Sequence, residues 1–247
     1  MITQQTISLA LNLDKRHFVI GDIHGRWDTF WKLLQSVNYD PTTDIIYSVG
    51  DMIDRGPSSY ETFTFFQQPN TYAIRGNHEN MAYHKEWFTT WLYNGGQSCL
   101  QSLKDNNYDH AWLNKQIEKL PFVIDVGSEG EEHAFRILHA ELPPEWSELD
   151  FQNYLRKQND HYEDYESILW SRNTISKAYT NKINNRPLDE GIIFNSDRSG
   201  RNVFVGHTSL EDVWTIGDMT YLDTGYRGNK LSMINAITKE IHSMTCV

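Results

Sequence analysis

Three short motifs concentrate groups that can hold metal ions or move protons. GDIHG (21–25), GDMIDRG (50–56) and GNHE (76–79) contribute Asp22, His24, Asp51, Asp54, Arg55, Asn77 and His78, and single histidines follow at His139 and His207. Mixed nitrogen and oxygen donors suit manganese, iron or zinc. The set Asp22, His24, Asp51, Asn77, His139 and His207 is long for one ion and suits two ions sharing a carboxylate. Two dications set against two anionic ligands, Asp22 and Asp51, leave a net positive site that would draw in a phosphate. Asn77 holds a metal without quenching its Lewis acidity, and the planar guanidinium of Arg55 matches phosphate oxygens bidentately. The chemistry these types permit is hydrolysis at phosphorus. Two dications roughly 3.5–4 Å apart can generate hydroxide between them and grip the phosphoryl oxygens during in-line displacement.

Such residues act together only if the chain folds them to one place. HFVIG (17–21), DIIYSVG (44–50) and TYAIRG (71–76) are short β-branched and aromatic runs that predict buried strands. RWDTFWKLLQSV follows the first, with Phe30, Leu33, Leu34 and Val37 at helical spacing. SSYETFTFFQQ follows the second, with Ser58 or Ser59 as its expected N-cap. Strands alternating with helices predict an α/β architecture with a parallel start. The later runs 122–126, 134–138, 202–206, 219–223 and 231–237 have few helices between some of them, which predicts a mixed second sheet. Residues 79–120 read as a helical cap rich in Trp and Tyr, broken at Asn94-Gly95-Gly96, and residues 173–202 read as polar loop. Each motif sits where a strand ends, and in open α/β sheets the carboxyl ends of strands form the ligand crevice.

Composition narrows the setting. With 247 residues, 39% hydrophobic and 13% aromatic, the chain can bury a large core and is expected to form one domain over 1–247. The net charge of −11 and the lack of any Lys/Arg-rich block argue against nucleic-acid or anionic-membrane partners. Two cysteines without metal-type spacing fit a reducing compartment. No stretch approaches the roughly 20 apolar residues of a membrane span, and no basic residue precedes the short apolar patch near the N-terminus, so the expected location is the cytoplasm. His17, His84, His110, His133, His161 and His242 lie outside every motif and are read as surface or satisfied core groups. Trp87, Trp91 and Tyr93 are read as core of the cap rather than a base-stacking surface.

Taken together, GDIHG, GDMIDRG, GNHE and the two later histidines resemble the serine/threonine phosphoprotein phosphatase family of calcineurin-like metallophosphoesterases. WLYNGG (91–96), LHAELP (138–143), ILWSR (168–172), VGHT (205–208) and YLDTG (221–225) are similar to its bacteriophage-lambda-type branch. Ala140 and Glu141 stand where eukaryotic members have glycines, as they do in that branch. The resemblance implies two mixed β-sheets forming a sandwich flanked by helices. It implies a first metal on Asp22, His24 and Asp51, and a second on Asp51, Asn77, His139 and His207, with manganese as the usual ion and iron or zinc as alternatives. His78 would be the general acid with Asp54 as its partner, and Arg55 and Arg172 would clamp the phosphate. The implied activity is hydrolysis of phosphoserine and phosphothreonine in proteins or peptides.

Two rival functions stay open. A dinucleoside polyphosphate hydrolase on the same scaffold would cleave between phosphates and require a nucleotide pocket. A non-catalytic interaction module on this fold would be expected to have lost ligands, and none is missing. A phosphodiesterase or nuclease is disfavoured, because such enzymes resemble a GHxH pattern and Thr208 and Ser209 follow His207.

Overall fold

The computed structural model describes residues 5–143, 146–157, 165–184 and 201–246. The chain begins with β1 (Thr6–Leu9) and β2 (Arg16–Ile20), then α1 (Trp27–Ser36), β3 (Asp44–Ser48), α2 (Ser59–Phe65) and β4 (Thr71–Ala73). The aromatic-rich stretch folds as α3 (Asn77–Tyr83), α4 (Phe88–Trp91), α5 (Gln97–Asp105) and α6 (His110–Ile117). A π-helical turn at Leu92–Gly96 lies between α4 and α5, and Gly95 supplies its φ of 114°. Next come β5 (Val123–Val126), β6 (Phe135–Ile137), α7 (Glu148–Lys157), α8 (Glu166–Trp170) and α9 (Asn173–Ile183). The chain closes with β7 (Asn202–Val205), β8 (Trp214–Ile216), β9 (Met219–Tyr221), β10 (Lys230–Asn235) and β11 (Ile241–Thr245).

Two sheets result, with orders β11-β10-β2-β3-β4 and β1-β5-β6-β7-β9-β8. Both are mixed. In the first, β2, β3 and β4 run parallel while β10 pairs antiparallel with β2 and β11. In the second, β6, β7 and β9 run parallel while β5 and β8 are antiparallel to their neighbours β6 and β9. Side-chain alternation sorts the core into layers. Val19, Tyr47, Ile124, Ile137 and Phe204 meet between the sheets. Phe18 and Ile20 point the other way, onto Phe30, Leu33 and Leu34 of α1. Val203 and Val205 face outward from the second sheet onto Phe151 of α7 and Leu169 of α8. Burying each such side chain contributes about 1.5–3 kcal/mol before ordering costs. The sandwich therefore sets the parallel strands rigidly, with their carboxyl ends opening at one place.

Two local expectations are corrected. Residues 173–183 of the stretch read as polar loop form α9, because Ile175 and Ala178, one turn apart, bury an apolar stripe that the surrounding polar residues mask. Residues 185–200 of that stretch, and His161, lie outside the described residues. Neither serine caps α2 with its side chain. The Ser59 hydroxyl instead accepts from Asp54 N at 2.9 Å, binding the helix to the loop after β3.

Candidate active site

The end of β2 delivers Asp22 and His24, the end of β3 delivers Asp51, Asp54 and Arg55, and the first turn of α3 carries Asn77 and His78. His139 and His207 come from the ends of β6 and β7. His24, Asp51, Asp54, Arg55 and His207 all adopt left-handed backbone, with φ of 48°, 50°, 76°, 64° and 63°. A non-glycine residue rarely does so, and a cluster of five marks strain held in place by the surrounding fold. Much of that holding falls to Glu79. Its carboxylate accepts from the backbone N–H of Gly76, Asp51, Met52 and Ile53 at 2.9, 2.8, 2.8 and 3.3 Å, tying the loop after β3 to the start of α3. No role for Glu79 was drawn from the sequence, although an acid at the third position of a helix is a capping signal. Gly206 works by absence, since a Cβ there would lie 1.9 Å from Asp22 Oδ1.

Asp51 is the hub. It belongs to two groups of buried ligand-type atoms, one with His24 and His78 and one with Asp22 and His139, each within 4.8 Å. The histidine hydrogen bonds define the direction of the lone pairs. His24 Nδ1 lies 2.9 Å from Ile53 O, and His139 Nδ1 lies 2.7 Å from Val49 O. A carbonyl only accepts, so in each neutral ring Nδ1 carries the proton and Nε2 presents a lone pair to the cleft, as outer hydrogen bonds do for metal-binding histidines. His139 Nε2 lies 2.7 Å, and His207 Nδ1 3.0 Å, from Asn77 Oδ1. Lone-pair atoms converging on one point are the arrangement a cation organises. The donor set thus fits divalent metal ions, with Asp51 placed to be shared.

Charge balance points the same way. The Asp22 carboxyl lies well above the ordinary carboxylate range because it is buried and faces Asp223 and Asp51. Asp51 is held below that range despite its burial by His139, His78 and His24. Burial pushes His24, His139 and His207 down, toward the neutral imidazole that can ligate. Glu79 is pushed up to about 7 by burial and by Asp51.

Beside these groups stands a buried dyad. His78 Nδ1 lies 2.6 Å from Asp54 Oδ2, and although burial opposes it, the charges of Asp51 and Asp54 raise the His78 pKa. Trp91 Nε1 donates to both Asp54 oxygens, at 3.0 and 2.8 Å. Trp91 is core, as its surroundings in the sequence imply, and has this polar role in addition. Arg55 aims its fork inward, Nη1 2.7 Å from His24 Nε2 and Nη2 3.0 Å from His78 Nε2. Arg172 is exposed and lines, with Arg55, the mouth of a 120 Å³ cavity floored by Asp22, Asp51 and Asn77. Behind it Glu141 accepts from the N–H of Thr174 and Ile175 at 2.7 and 2.8 Å and from the Tyr221 hydroxyl at 3.1 Å, pinning the start of α9 next to Arg172. The structure brings the ten sequence-selected residues together: eight line this cavity, and Asp54 and His139 sit behind it, on His78 and Asn77.

A fold of two mixed sheets whose strand ends carry this donor set defines a metallophosphoesterase. The chain belongs to the calcineurin-like phosphoesterase family, whose profile matches residues 16–234. It is 31% identical to serine/threonine-protein phosphatase 1 of Salmonella typhimurium over 214 residues, 85% of this chain and 87% of that protein. It is 30% identical to a symmetrical bis(5'-nucleosyl)-tetraphosphatase of Shewanella baltica over 167 residues, 63% of this chain and 57% of that protein. In fold it is similar to a protein serine/threonine phosphatase from Saccharomyces cerevisiae, with a TM-score of 0.63 at 17% identity over 99% of this chain and 85% of that one.

Proposed function

We propose that the chain is a metal-dependent phosphomonoesterase that hydrolyses phosphoserine and phosphothreonine in proteins. Asp22, His24 and Asp51 would hold one divalent ion and Asp51, Asn77, His139 and His207 a second, with manganese the preferred ion. When bound, the ions supply Lewis acidity at the phosphoryl oxygens and lower the pKa of the attacking water. The chain's own residues then do the rest. Arg55 and Arg172 meet the remaining phosphate oxygens, whose charge spreads as the ester bond breaks. His78, with Nδ1–H on Asp54, faces Arg55 through Nε2; with Arg55 turned to the phosphate, the protonated ring would give its Nε2 proton to the departing oxygen. Asp54 supports the imidazolium, and Trp91 keeps both oxygens of Asp54 in place.

The observation that carries the reading is the buried 2.6 Å contact between His78 and Asp54. A serine or threonine alkoxide is a poor leaving group that needs a proton. A nucleotide phosphate leaves readily without one, so a built proton donor supports an alkyl ester as substrate. The longer match to the phosphatase, over 85% of the chain against 63%, agrees. The tetraphosphatase relatives support a second reading, hydrolysis of a dinucleoside tetraphosphate. A panel of a phosphoserine peptide, a phosphotyrosine peptide and diadenosine tetraphosphate, assayed with added Mn²⁺, separates the two. The phosphoserine peptide should give the highest kcat/KM. Fast cleavage of the dinucleotide with negligible peptide turnover would reject the proposal.

A further inference from the structure

The catalytic cleft opens into a groove of about 900 Å³ that none of the metal ligands except His207 lines. One bank is α9, which presents Ile175 and Tyr179. The other bank is the turn between β9 and β10, which presents Tyr226 and Arg227, and Leu210 adds to the apolar lining. Both banks are anchored to strand ends of the site. Glu141, two residues after His139, pins the start of α9. Ser209, two residues after His207, accepts from the backbone N–H of Tyr226 and Arg227 at 3.1 Å each. The groove is therefore set in position before substrate arrives.

Its charge is unlike that of the chain. Across a protein of net charge −11, this groove gathers Arg55, Arg172 and Arg227. Its one carboxylate among the described residues, Asp223, is buried, and one of its oxygens accepts from Gly225 N at 2.9 Å. Arg55 and Arg172 belong to the phosphate, which leaves Arg227 as the groove's further cation among the described residues. Arg227 is exposed, with its guanidinium 5.2 Å from the ring centroid of Tyr179, a contact that orients the fork across the groove and occupies a face on which a base could otherwise stack. The exposed rings of Tyr93 and Tyr226 stand at the rim, apolar faces beside polar tips, suited to an extended peptide.

We infer that this groove is a peptide-binding subsite in which Arg227 receives an acidic side chain, Asp, Glu or a second phosphorylated residue, flanking the phosphorylated residue of the substrate. The inference rests on the protein-phosphatase reading and adds a preference to it. The preference is electrostatic and solvent-exposed, so it is modest. A single exposed pair of this kind accounts for roughly a two- to fivefold change in affinity, expressed mainly in KM and weakened by salt.

The test is the ratio of kcat/KM for two phosphoserine peptides identical except for acidic or basic flanking residues, measured at low ionic strength. Wild type should favour the acidic peptide, Arg227→Lys should keep that order, Arg227→Ala should reduce the ratio by roughly two- to fivefold, and Arg227→Glu should reverse it. Melting temperatures and metal content of each variant separate lost folding from lost specificity. Equal ratios in wild type and Arg227→Glu would overturn the subsite while leaving the phosphatase reading intact. No turnover of either peptide, with cleavage of diadenosine tetraphosphate, would overturn both.

Discussion

Trp91→Phe isolates the support behind the proton donor. The indole N–H is the donor that reaches both Asp54 oxygens, at 3.0 and 2.8 Å, and phenylalanine removes it while keeping an aromatic ring in the seat beside Gly96. A hydrogen bond to a buried charged group contributes about 1.5–3 kcal/mol. If all of that acts through the orientation of His78, kcat on a phosphoserine peptide falls about 10- to 100-fold, since about 1.4 kcal/mol is a factor of ten. His78→Asn should cost roughly 10²- to 10⁴-fold on the same substrate, the usual scale for a lost general acid. Asp54→Asn should fall between them, because it removes the charge and leaves the imidazole. A nitrophenyl phosphate should suffer far less in all three, because nitrophenolate leaves without a proton. The assay is kcat on both substrates for the single variants and for Trp91→Phe/His78→Asn, with metal content measured throughout. Residues acting as a unit are non-additive, so the double variant should be little worse than His78→Asn alone. Equal losses on the two substrates, or losses that multiply in the double variant, would show that Trp91, Asp54 and His78 do not act together on the leaving group.

Three further outcomes follow from single contacts. Gly206→Ala places a Cβ 1.9 Å from Asp22 Oδ1, so the variant should lose bound metal as well as activity, read by elemental analysis; full metal content would show that Asp22 is not confined there. Glu141→Gln exchanges an acceptor oxygen for an amide donor facing the N–H groups that start α9, and should lower stability by about 1.5–3 kcal/mol and raise KM through Arg172, as denaturant melts and kinetics will show. His17 is buried against Tyr47 and Asn12, and burial holds its pKa below the ordinary 6.5. The unfolded chain therefore takes up the proton first. Its contribution is constant above about pH 6.5, and stability is lost as pH falls below that value, a loss that His17→Gln should flatten in melts from pH 7.5 to 5.

The ligands were readable from the chain because each follows an apolar run, and all but His139, which sits between Leu138 and Ala140, lie beside a glycine, so local residue types carried the signal. What sequence did not disclose acts across distance. Glu79, Trp91 and Glu141 work by pairing with groups 28, 37 and 33 residues away, and nothing in their neighbours names those partners. The left-handed backbone at Asp51 and His207 is one that Asp and His tolerate better than most residues, but nothing in the local sequence demands it. Three strands escaped notice for physical reasons: β1 is half exposed, β8 is an edge strand with only one of its three residues buried, and β11 is an edge strand whose polar alternation lacks a buried face. α9 was hidden because its apolar stripe is narrow within a polar stretch.

In the proposed mechanism Asp51 is shared by two metal ions on which hydrolysis depends. Elemental analysis of purified wild type and Asp51→Asn, each equilibrated with Mn²⁺ and dialysed, tests it most directly, alongside turnover of a phosphoserine peptide before and after chelation. Wild type should hold about two equivalents of metal, Asp51→Asn should lose both, and turnover should be abolished by chelation and restored by Mn²⁺. Two equivalents retained by the variant, or full activity in metal-free wild type, would contradict that mechanism.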